Sequence, residues 1–223
     1  MLQGIDISHH NGENILDIVM HNNPIDFVIC KATEGATFFD KLFDSNMTKA
    51  DKYALLRGAY HYVNAPNQTV SGAFMGSEGE AYNFVSHARP YGDCILVLDF
   101  EEKRMLKQEG VDYLGNVAQF VKSMTGTPPL IYVSESVVKQ FNFSNIVDIG
   151  CGLWVAKWKK GYVPVVGNVT ADAYVAASSG EFGITAIQQI SDMGMVGGKI
   201  YNLDVDIANM SVAAWRKYAN PRL

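Results

Sequence analysis

The stretch 94–102, CILVLDFEE, constrains the fold more than any other part of the chain, because five apolar residues are followed abruptly by acid. A run that is apolar on both faces is typical of a strand buried on both sides, as in a parallel sheet. Side chains alternate between faces along a strand, so Asp99 and Glu101 point the same way. The sequence therefore predicts two neighbouring carboxyl groups at the C-terminal end of a buried strand, where barrels and open α/β sheets carry catalytic residues.

Two carboxyl groups at this spacing have two interpretations. Like charges so close together hinder each other's ionisation, which raises one pKa and leaves a proton that can be donated to a substrate. Alternatively, Asp99 and Glu101 only begin a solvated loop that Glu102 and Lys103 continue. Residues elsewhere in the chain distinguish these interpretations, because a site needs further functional groups at the same end of the sheet.

The size and composition of the chain are those of an ordinary globular protein. Its 223 residues suit one large domain or two small ones, and 48% hydrophobic with 18% charged residues provide an ample core. A net charge of -5 argues against nucleic-acid binding and offers no basic surface to a membrane. No apolar run approaches membrane-spanning length, and the N-terminus leads directly into a predicted strand without a secretion signal. We therefore expect synthesis in the cytoplasm and no membrane insertion.

The three cysteines, Cys30, Cys94 and Cys151, are far apart and lack the spacing of metal ligands. Cys30 and Cys94 lie in apolar, strand-like runs, so we expect buried free thiols. This pattern fits synthesis in a reducing compartment.

Strand-like and helix-like segments alternate along the first part of the chain, but this alternation stops in the last third. Five strands are each followed by a helical pattern, whereas three later strands are joined by weak connectors without helical periodicity. Eight strands in this order predict an α/β fold, an irregular eight-stranded barrel like the TIM barrel, and a doubly wound open sheet is the alternative. With no linker or low-complexity tract, residues 1–223 are expected to form a single domain. The predicted strands are 4–8, 26–32, 57–63, the acidic stretch 94–102, 130–133, 152–158, 186–190 and 201–205.

Four acidic residues, Asp6, Asp99, Glu101 and Asp204, lie at or near the C-terminal ends of three predicted strands. In a barrel those ends converge on one mouth. Asp6 or Asp204 alone is more typical of a turn, but four carboxyl groups at one pole indicate a site. Aromatic residues at the same ends suit sugar rings, whose C–H faces stack on them. These aromatic residues are Tyr60, His61, Tyr62, Tyr132, Trp154 and Trp158.

Metal binding and nucleophilic catalysis are the competing uses of such residues. The chain has no glycine-rich phosphate loop to accompany a magnesium site, and His9, His10 and His61 lack the paired spacing of zinc ligands. It also has no Gly-x-Ser-x-Gly motif and no cysteine with an adjacent histidine. We therefore expect neither a metal ion nor another cofactor.

Seven short motifs run through most of the chain. They are GIDISH at 4–9, KATEG at 31–35, GAYHY at 58–62, LDFE at 98–101, IY at 131–132, LWVA at 153–156 and LDV at 203–205. Their order and spacing together resemble the glycoside hydrolase family 25 lysozymes, which are the N-acetylmuramidases of phage endolysins and bacterial autolysins. The chain departs from the family at three positions: His10 replaces a large aromatic residue, Phe100 replaces a β-branched residue or Tyr, and Lys157 follows the Trp-x-Ala segment.

The resemblance implies a similar irregular barrel and a role for each acid. Glu101 is implied to be the general acid and Asp99 its partner, with Asp6 and Asp204 in support. Asp204 is preferred to Asp206 because 203–205 fits the motif better, and replacement of Asp206 by asparagine is expected to be nearly neutral. The implied substrate-binding residues are Lys31, Glu34, Tyr60, His61, Tyr62, Tyr132, Trp154 and Gln188.

The resemblance also implies a reaction, hydrolysis of the β-1,4 bond between N-acetylmuramic acid and N-acetylglucosamine in bacterial peptidoglycan. The close spacing of Asp99 and Glu101 favours retention of configuration, and participation of the substrate's acetamido group is preferred to a covalent aspartyl intermediate. A non-catalytic module that binds wall sugars on the same barrel is the alternative. The expected partner is peptidoglycan, and access to it would need a separate wall-binding module or a holin, as in the release of a phage endolysin.

Overall fold

The computed structural model of the protein describes residues 1–64 and 76–219. Most of the polar loop that the sequence predicts at 64–71, and the start of the helix predicted at 73–87, lie outside the described residues. The strands are β1 (Leu2–Ile7), β2 (Phe27–Glu34), β3 (Phe38–Phe39), β4 (Leu56–Tyr62), β5 (Cys94–Asp99), β6 (Leu130–Ser134), β7 (Gly152–Ala156), β8 (Ile187–Ser191), β9 (Met195–Val196), β10 (Lys199–Ile200) and β11 (Asp204–Ala208).

Eight of these strands form a closed barrel. Hydrogen-bonded neighbours follow the order β1-β11-β8-β7-β6-β5-β4-β2, and β2 returns to β1 in parallel register, with Gly4 opposite Phe27. Every residue of β5 is buried, as the apolar run predicts for a strand covered on both faces. The predicted irregular eight-stranded α/β barrel is confirmed, with five β/α units followed by three strands that lack long connecting helices.

The last barrel strand, β11, runs antiparallel to both of its neighbours, β1 and β8. The sequence places Asp204 near the C-terminal end of a strand at 201–205, whereas the observed strand begins at Asp204. Because the direction is reversed, the start of β11 lies at the same mouth as the ends of the parallel strands. Asp204 therefore reaches the predicted mouth for a different reason, and its register partner there is Asp6.

Helices cover the outside of the barrel. In the helix 108–125, Leu114, Val117 and Val121 are buried at helical spacing, and the helix ends at Gly126, whose φ of 77° lies in the left-handed region. Within the described part of the chain, none of the helices has both the length and the apolar character that crossing a membrane requires. The helices are α1 (Ile15–Asn22), α2 (Phe43–Lys52), α3 (Ser77–Ala88), α4 (Gln108–Thr125), α5 (Glu135–Gln140), α6 (Ser144–Ile149) and α7 (Val212–Tyr218).

The end of the barrel at which the parallel strands begin is closed by α7. Its Trp215 is fully buried, and the centroid of its ring lies 4.8 Å from that of Phe27, the first residue of β2. Gly4 on β1 allows Phe27 to lie against β1, because a Cβ atom at Gly4 would lie 2.4 Å from the carbonyl oxygen of Phe27. The opposite mouth, where the parallel strands end, is not covered by α7 and can hold a functional site.

Candidate active site

A cavity of about 210 Å³ lies at the mouth where the parallel strands end. Its wall combines carboxyl groups with aromatic rings, and all four acids singled out in the sequence belong to it. Among the described residues, no group of three or more His, Cys, Asp or Glu side chains is arranged to hold a metal ion. The lining residues are Asp6, Tyr60, Asp99, Glu101, Tyr132, Trp154, Trp158, Gln189 and Asp204.

Asp99 and Glu101 differ in how deeply they are buried. Asp99, the last residue of β5, is buried, and burial raises the pKa of its carboxyl well above the usual value, with further increases from the charges of Glu101 and Asp6. Glu101 is more exposed; partial burial of its carboxyl raises its pKa, and the nearby charge of Lys31 opposes the increase. Glu101 therefore combines access to the cavity with a tendency to keep its proton, as a general acid requires.

Asp6 and Asp204 face each other in register across β1 and β11. Burial raises the pKa of Asp6 to about 6, although a hydrogen bond from Gln189 opposes the increase. Burial, followed by the charges of Asp6, Asp192 and Glu101, raises the pKa of Asp204 to about 8. Carboxyl groups crowded in this way do not all ionise near neutral pH, so the cavity holds exchangeable protons where the strands end.

Gln189 organises one side of the cavity. Its Nε2 donates to Asp6 Oδ2 at 3.1 Å, and its Oε1 accepts from the Tyr132 hydroxyl at 3.0 Å and from Trp158 Nε1 at 3.1 Å. The amide thus fixes the orientation of an acid and of two aromatic side chains at once. Trp158 is 46% exposed, so much of its ring remains open for contact with a ligand.

Asp206 lies fully buried beneath the acids that line the cavity. Trp154 Nε1 donates to Asp206 Oδ1 at 3.0 Å. Burial raises the pKa of Asp206 well above its usual value, the charges of Asp6 and Asp204 raise it further, and so does the hydrogen bond that it donates to Asp6 when protonated. Asp206 thus interacts with Asp6 and also accepts the hydrogen bond of the Trp154 indole, whereas the sequence indicated only an acidic neighbour of Asp204.

Lys31 supplies a positive charge beside the acids. Its Nζ donates to Glu34 Oε2 at 2.8 Å, and it lies 5.0 Å from the ring centroid of Tyr62 and 5.6 Å from that of Phe38. Two aromatic faces and one carboxylate therefore hold a nearly buried ammonium group in place.

The predicted binding residues separate into three groups. Three line the cavity, three lie next to it, and two point elsewhere. The first group is Tyr60, Tyr132 and Trp154, the second is Lys31, Glu34 and Tyr62, and the third is His61 and Gln188.

His61 does not belong to the cavity, which corrects its assignment as a binding residue. It lies between Tyr60 and Tyr62 on β4, and strand alternation turns its ring to the outer face of the barrel. There it is fully buried and hydrogen-bonded to Thr33 and Glu80.

Gln188 is also outside the cavity, and its neighbour Gln189 takes the place assigned to it. Gln188 is fully buried, and its Nε2 donates to the backbone carbonyl groups of Lys157 and Val175, both at 3.0 Å. A shift of one residue reverses the face of a strand, and the sequence of β8 shows two adjacent glutamines without indicating which faces inwards.

Comparison with known proteins gives a consistent result. The sequence model described as glycosyl hydrolases family 25 matches residues 5–177. Lysozyme M1 of Streptomyces globisporus is 34% identical over 84 residues, which cover 37% of this chain and 28% of that protein. The autolytic lysozyme of Clostridium acetobutylicum is 25% identical over 206 residues, covering 89% of this chain and 59% of that protein. The matches thus span less than two thirds of the length of either relative.

The fold is shared with solved structures. A family 25 glycosyl hydrolase from Bacillus anthracis superposes with a TM-score of 0.73 at 19% identity, and the match covers 98% of this chain and 93% of the other. The family match extends over well more than half of the sequence and includes Asp6, Asp99 and Glu101. The chain therefore belongs to glycosyl hydrolases family 25.

Proposed function

We propose that this chain is a muramidase, which hydrolyses the β-1,4 bond between N-acetylmuramic acid and N-acetylglucosamine in bacterial peptidoglycan. The observation that carries the proposal is the pairing of Asp99 and Glu101 in a cavity walled by aromatic rings. Membership of the family supports it, as do the names of two relatives, a lysozyme and an autolytic lysozyme.

Glu101 is the general acid in this proposal. Its carboxyl reaches the cavity, and its raised pKa keeps a proton available for the oxygen of the departing sugar. Transfer of that proton lets the glycosidic bond break without releasing an alkoxide. The resulting Glu101 carboxylate can then accept a proton from the water that completes hydrolysis.

Asp99 stabilises the sugar on the other side of the bond. Its Oδ1 is buried and accepts no hydrogen bond from the described residues, although the residue lines the cavity. An acetamido N–H of the substrate would satisfy this oxygen and align the acetamido oxygen for attack on the anomeric carbon. We therefore favour retention of configuration with acetamido participation, which is a known exception to the covalent scheme.

The aromatic residues in the wall of the cavity would bind the sugars. Tyr60, Tyr132, Trp154 and the half-exposed Trp158 offer ring faces for the apolar faces of the sugars. Gln189 holds two of these rings in fixed orientations.

The substrate places the action of the protein at the bacterial cell wall. We propose that residues 1–223 act as a single catalytic domain on peptidoglycan, with no cofactor, no nucleic acid and no membrane insertion. A separate wall-binding module, or a holin that releases the protein from the cytoplasm in the manner of an endolysin, would provide access.

Clearing of a suspension of purified cell walls tests catalysis directly. The wild-type protein should lower the turbidity, with or without a chelator, while Glu101→Gln should bind the same walls without clearing them. Binding without clearing by the wild type would instead identify a non-catalytic wall-binding module. Activity that a chelator abolishes and a divalent metal restores would overturn the metal-free mechanism.

The stereochemistry is tested by NMR of the first-formed product anomer. Retention predicts an initial β-anomer at the new reducing end. An initial α-anomer would show inversion and would remove the role given to the acetamido group.

A further inference from the structure

A cluster of buried polar side chains lies behind the cavity, on the outer face of β4. His61 Nε2 lies 2.9 Å from Glu80 Oε2, and His61 Nδ1 lies 2.8 Å from Thr33 Oγ1. The Tyr113 hydroxyl of α4 donates to Glu80 Oε1 at 2.8 Å. We call Thr33, His61, Glu80 and Tyr113 the Glu80 cluster. Buried polar groups destabilise a fold unless they are hydrogen-bonded, and these bonds tie β2 and β4 to α3 and α4.

The Glu80 cluster is not a second catalytic centre. Thr33, His61 and Glu80 follow the order of nucleophile, base and acid, but Thr33 and His61 are fully buried and Glu80 is 3% exposed. A nucleophile must contact its substrate, which burial prevents here. The hydrogen bonds of the cluster therefore serve to position residues within the protein.

Asn64 connects the Glu80 cluster to the cavity. Its backbone N–H donates to Glu80 Oε2 at 3.0 Å, and its side-chain Nδ2 donates to Glu34 Oε1 at 3.2 Å. Glu34 Oε2 in turn accepts from Lys31 Nζ at 2.8 Å. A continuous path of hydrogen bonds thus runs from the buried Glu80 to the ammonium group of Lys31.

The position of Lys31 matters because its charge faces the catalytic acids. It lowers the pKa of both Asp99 and Glu101, against the increases caused by burial. A cation within ~4–6 Å lowers the pKa of a carboxyl by roughly 1–3 units, so a displacement of a few ångströms changes this effect. The carboxyl groups that share this surrounding are Asp6 on β1, Glu34 on β2, Asp99 and Glu101 at the end of β5, and Asp204 on β11.

We propose that Glu80 and Asn64 are positioning residues that hold the ammonium group of Lys31 at a fixed place beside the catalytic acids. Neither residue lines the cavity, so both act through Glu34. The inference rests on the proposed function, since it gives the surroundings of the same acids a task. The same proposal gives a role to His61 of the GAYHY motif, which faces away from the cavity. Its ring is hydrogen-bonded to Glu80 and helps to hold that carboxyl in place.

Asn64→Ala is the most direct test, because it removes the side-chain bond to Glu34 and keeps the backbone N–H that donates to Glu80. It also removes Oδ1, which accepts from Arg104 Nη2 at 3.3 Å. Glu34 then loses its bond from Asn64, and the Lys31–Glu34 pair is left as a partly exposed ion pair, which is weakly held. The carboxyl pKa of Glu101, measured by ¹³C NMR titration of the unliganded protein, should rise. The alkaline limb of the pH profile of kcat/KM should move to higher pH with it.

Two further variants calibrate this shift. Lys31→Met removes the charge altogether and should raise the Glu101 pKa by about 1 unit or more, with Asn64→Ala shifting it in the same direction by less. Asn46→Ala removes another buried asparagine, on α2, and should leave the Glu101 pKa and the pH profile unchanged. A merely structural role for Asn64 would make it behave like Asn46.

Two substitutions of Glu80 distinguish the effect of its hydrogen bonds from the effect of its charge. In Glu80→Gln, the amide oxygen can accept from His61 and Asn64, and the amide nitrogen can donate to the Tyr113 oxygen. This variant should therefore keep the wild-type pH profile. Glu80→Leu removes every bond and should shift the profile as Asn64→Ala does. Glu80→Gln behaving like Glu80→Leu would contradict a positioning role.

The outcomes distinguish the inference from the proposed function. An unchanged Glu101 pKa in Asn64→Ala overturns the inference, whatever the activity. A wild-type protein that fails to cut peptidoglycan overturns the proposed function, while the NMR titration still tests whether Asn64 positions Lys31. If Glu80→Leu fails to fold, Asn64→Ala alone decides.

Discussion

At the scale of single residues, depth of burial separates the roles of chemically similar acids. Glu101 reaches the cavity, Asp99 lies in its wall with one oxygen unpaired among the described residues, and Asp206 lies beneath. The sequence showed that Asp99 and Glu101 share a face, and so do Asp204 and Asp206, because side chains two residues apart on a strand point the same way. Their depths were not visible, because burial depends on which neighbours the fold brings together.

Glu101→Gln should abolish most of the activity and leave the fold intact, since the amide keeps the shape of the side chain and cannot donate the acid's proton. A loss of about 10²–10⁴-fold in kcat is expected. Glu102→Gln is the matched control, because Glu102 is adjacent in sequence but bonds to Arg104. Equal losses in both variants, or wild-type activity in Glu101→Gln, would show that the acid is assigned wrongly.

Asp206 and Asp204 should respond differently to the same substitution. Asp206→Asn can still accept from Trp154, and its amide nitrogen can donate to Asp6, so activity should remain close to the wild-type value. Asp206→Ala leaves the indole N–H without its partner and should cost about 1–3 kcal/mol of unfolding free energy. Asp204→Asn should lower kcat, but by less than Glu101→Gln. An inactive, folded Asp206→Asn beside an active Asp204→Asn would reverse these assignments.

At the scale of elements, the sequence revealed the strands better than their directions. All eight barrel strands were predicted in order, because each contains several apolar or aromatic residues in a short segment between turn or helix signals. The reversal of β11 was not predicted, since a five-residue strand carries no mark of whether its partner runs parallel. The two-residue strands β3, β9 and β10 were also missed, because they are too short to show periodicity.

The two ends of the barrel should separate stability from activity. Trp215→Ala leaves a cavity against Phe27 at the closed end and should lower the unfolding free energy by about 3–5 kcal/mol in urea denaturation. Activity should persist at temperatures where the variant is folded. Trp158→Ala, at the open end and 46% exposed, should hardly change stability and should raise KM for wall fragments. The reverse pattern would mean that the open and closed ends are assigned wrongly.

At the scale of the whole molecule, the acidic cavity should make stability depend on pH. Asp6, with a pKa of about 6, and Asp204, with a pKa of about 8, both lie above the usual carboxyl value of 3.8. Between the unfolded and folded pKa values the folded protein binds more protons than the unfolded chain, so stability falls as pH rises. The window runs from about pH 4 to about pH 8. Glu135, whose bond from Lys157 lowers its pKa to about 2, titrates below this window.

Urea denaturation at pH 5 and pH 8 checks this expectation. The wild type should have the lower unfolding free energy at pH 8, and Asp204→Asn should flatten the difference because it removes one of the raised carboxyl groups. Asp148→Asn, a change on α6 at a residue that does not line the cavity, should leave the difference as it is. A wild type that is more stable at pH 8 than at pH 5 would contradict the crowding of acids in the cavity.

In the proposed reaction, this barrel cuts glycan strands on one defined side of the muramic acid residue. The most direct measurement is to digest purified peptidoglycan, reduce the products with borohydride and identify the reduced sugar at each new end. The wild type should release chains that end in reduced muramic acid, and Glu101→Gln should release none above background. New ends that carry reduced glucosamine, or no new ends from a folded wild-type protein, would contradict the account.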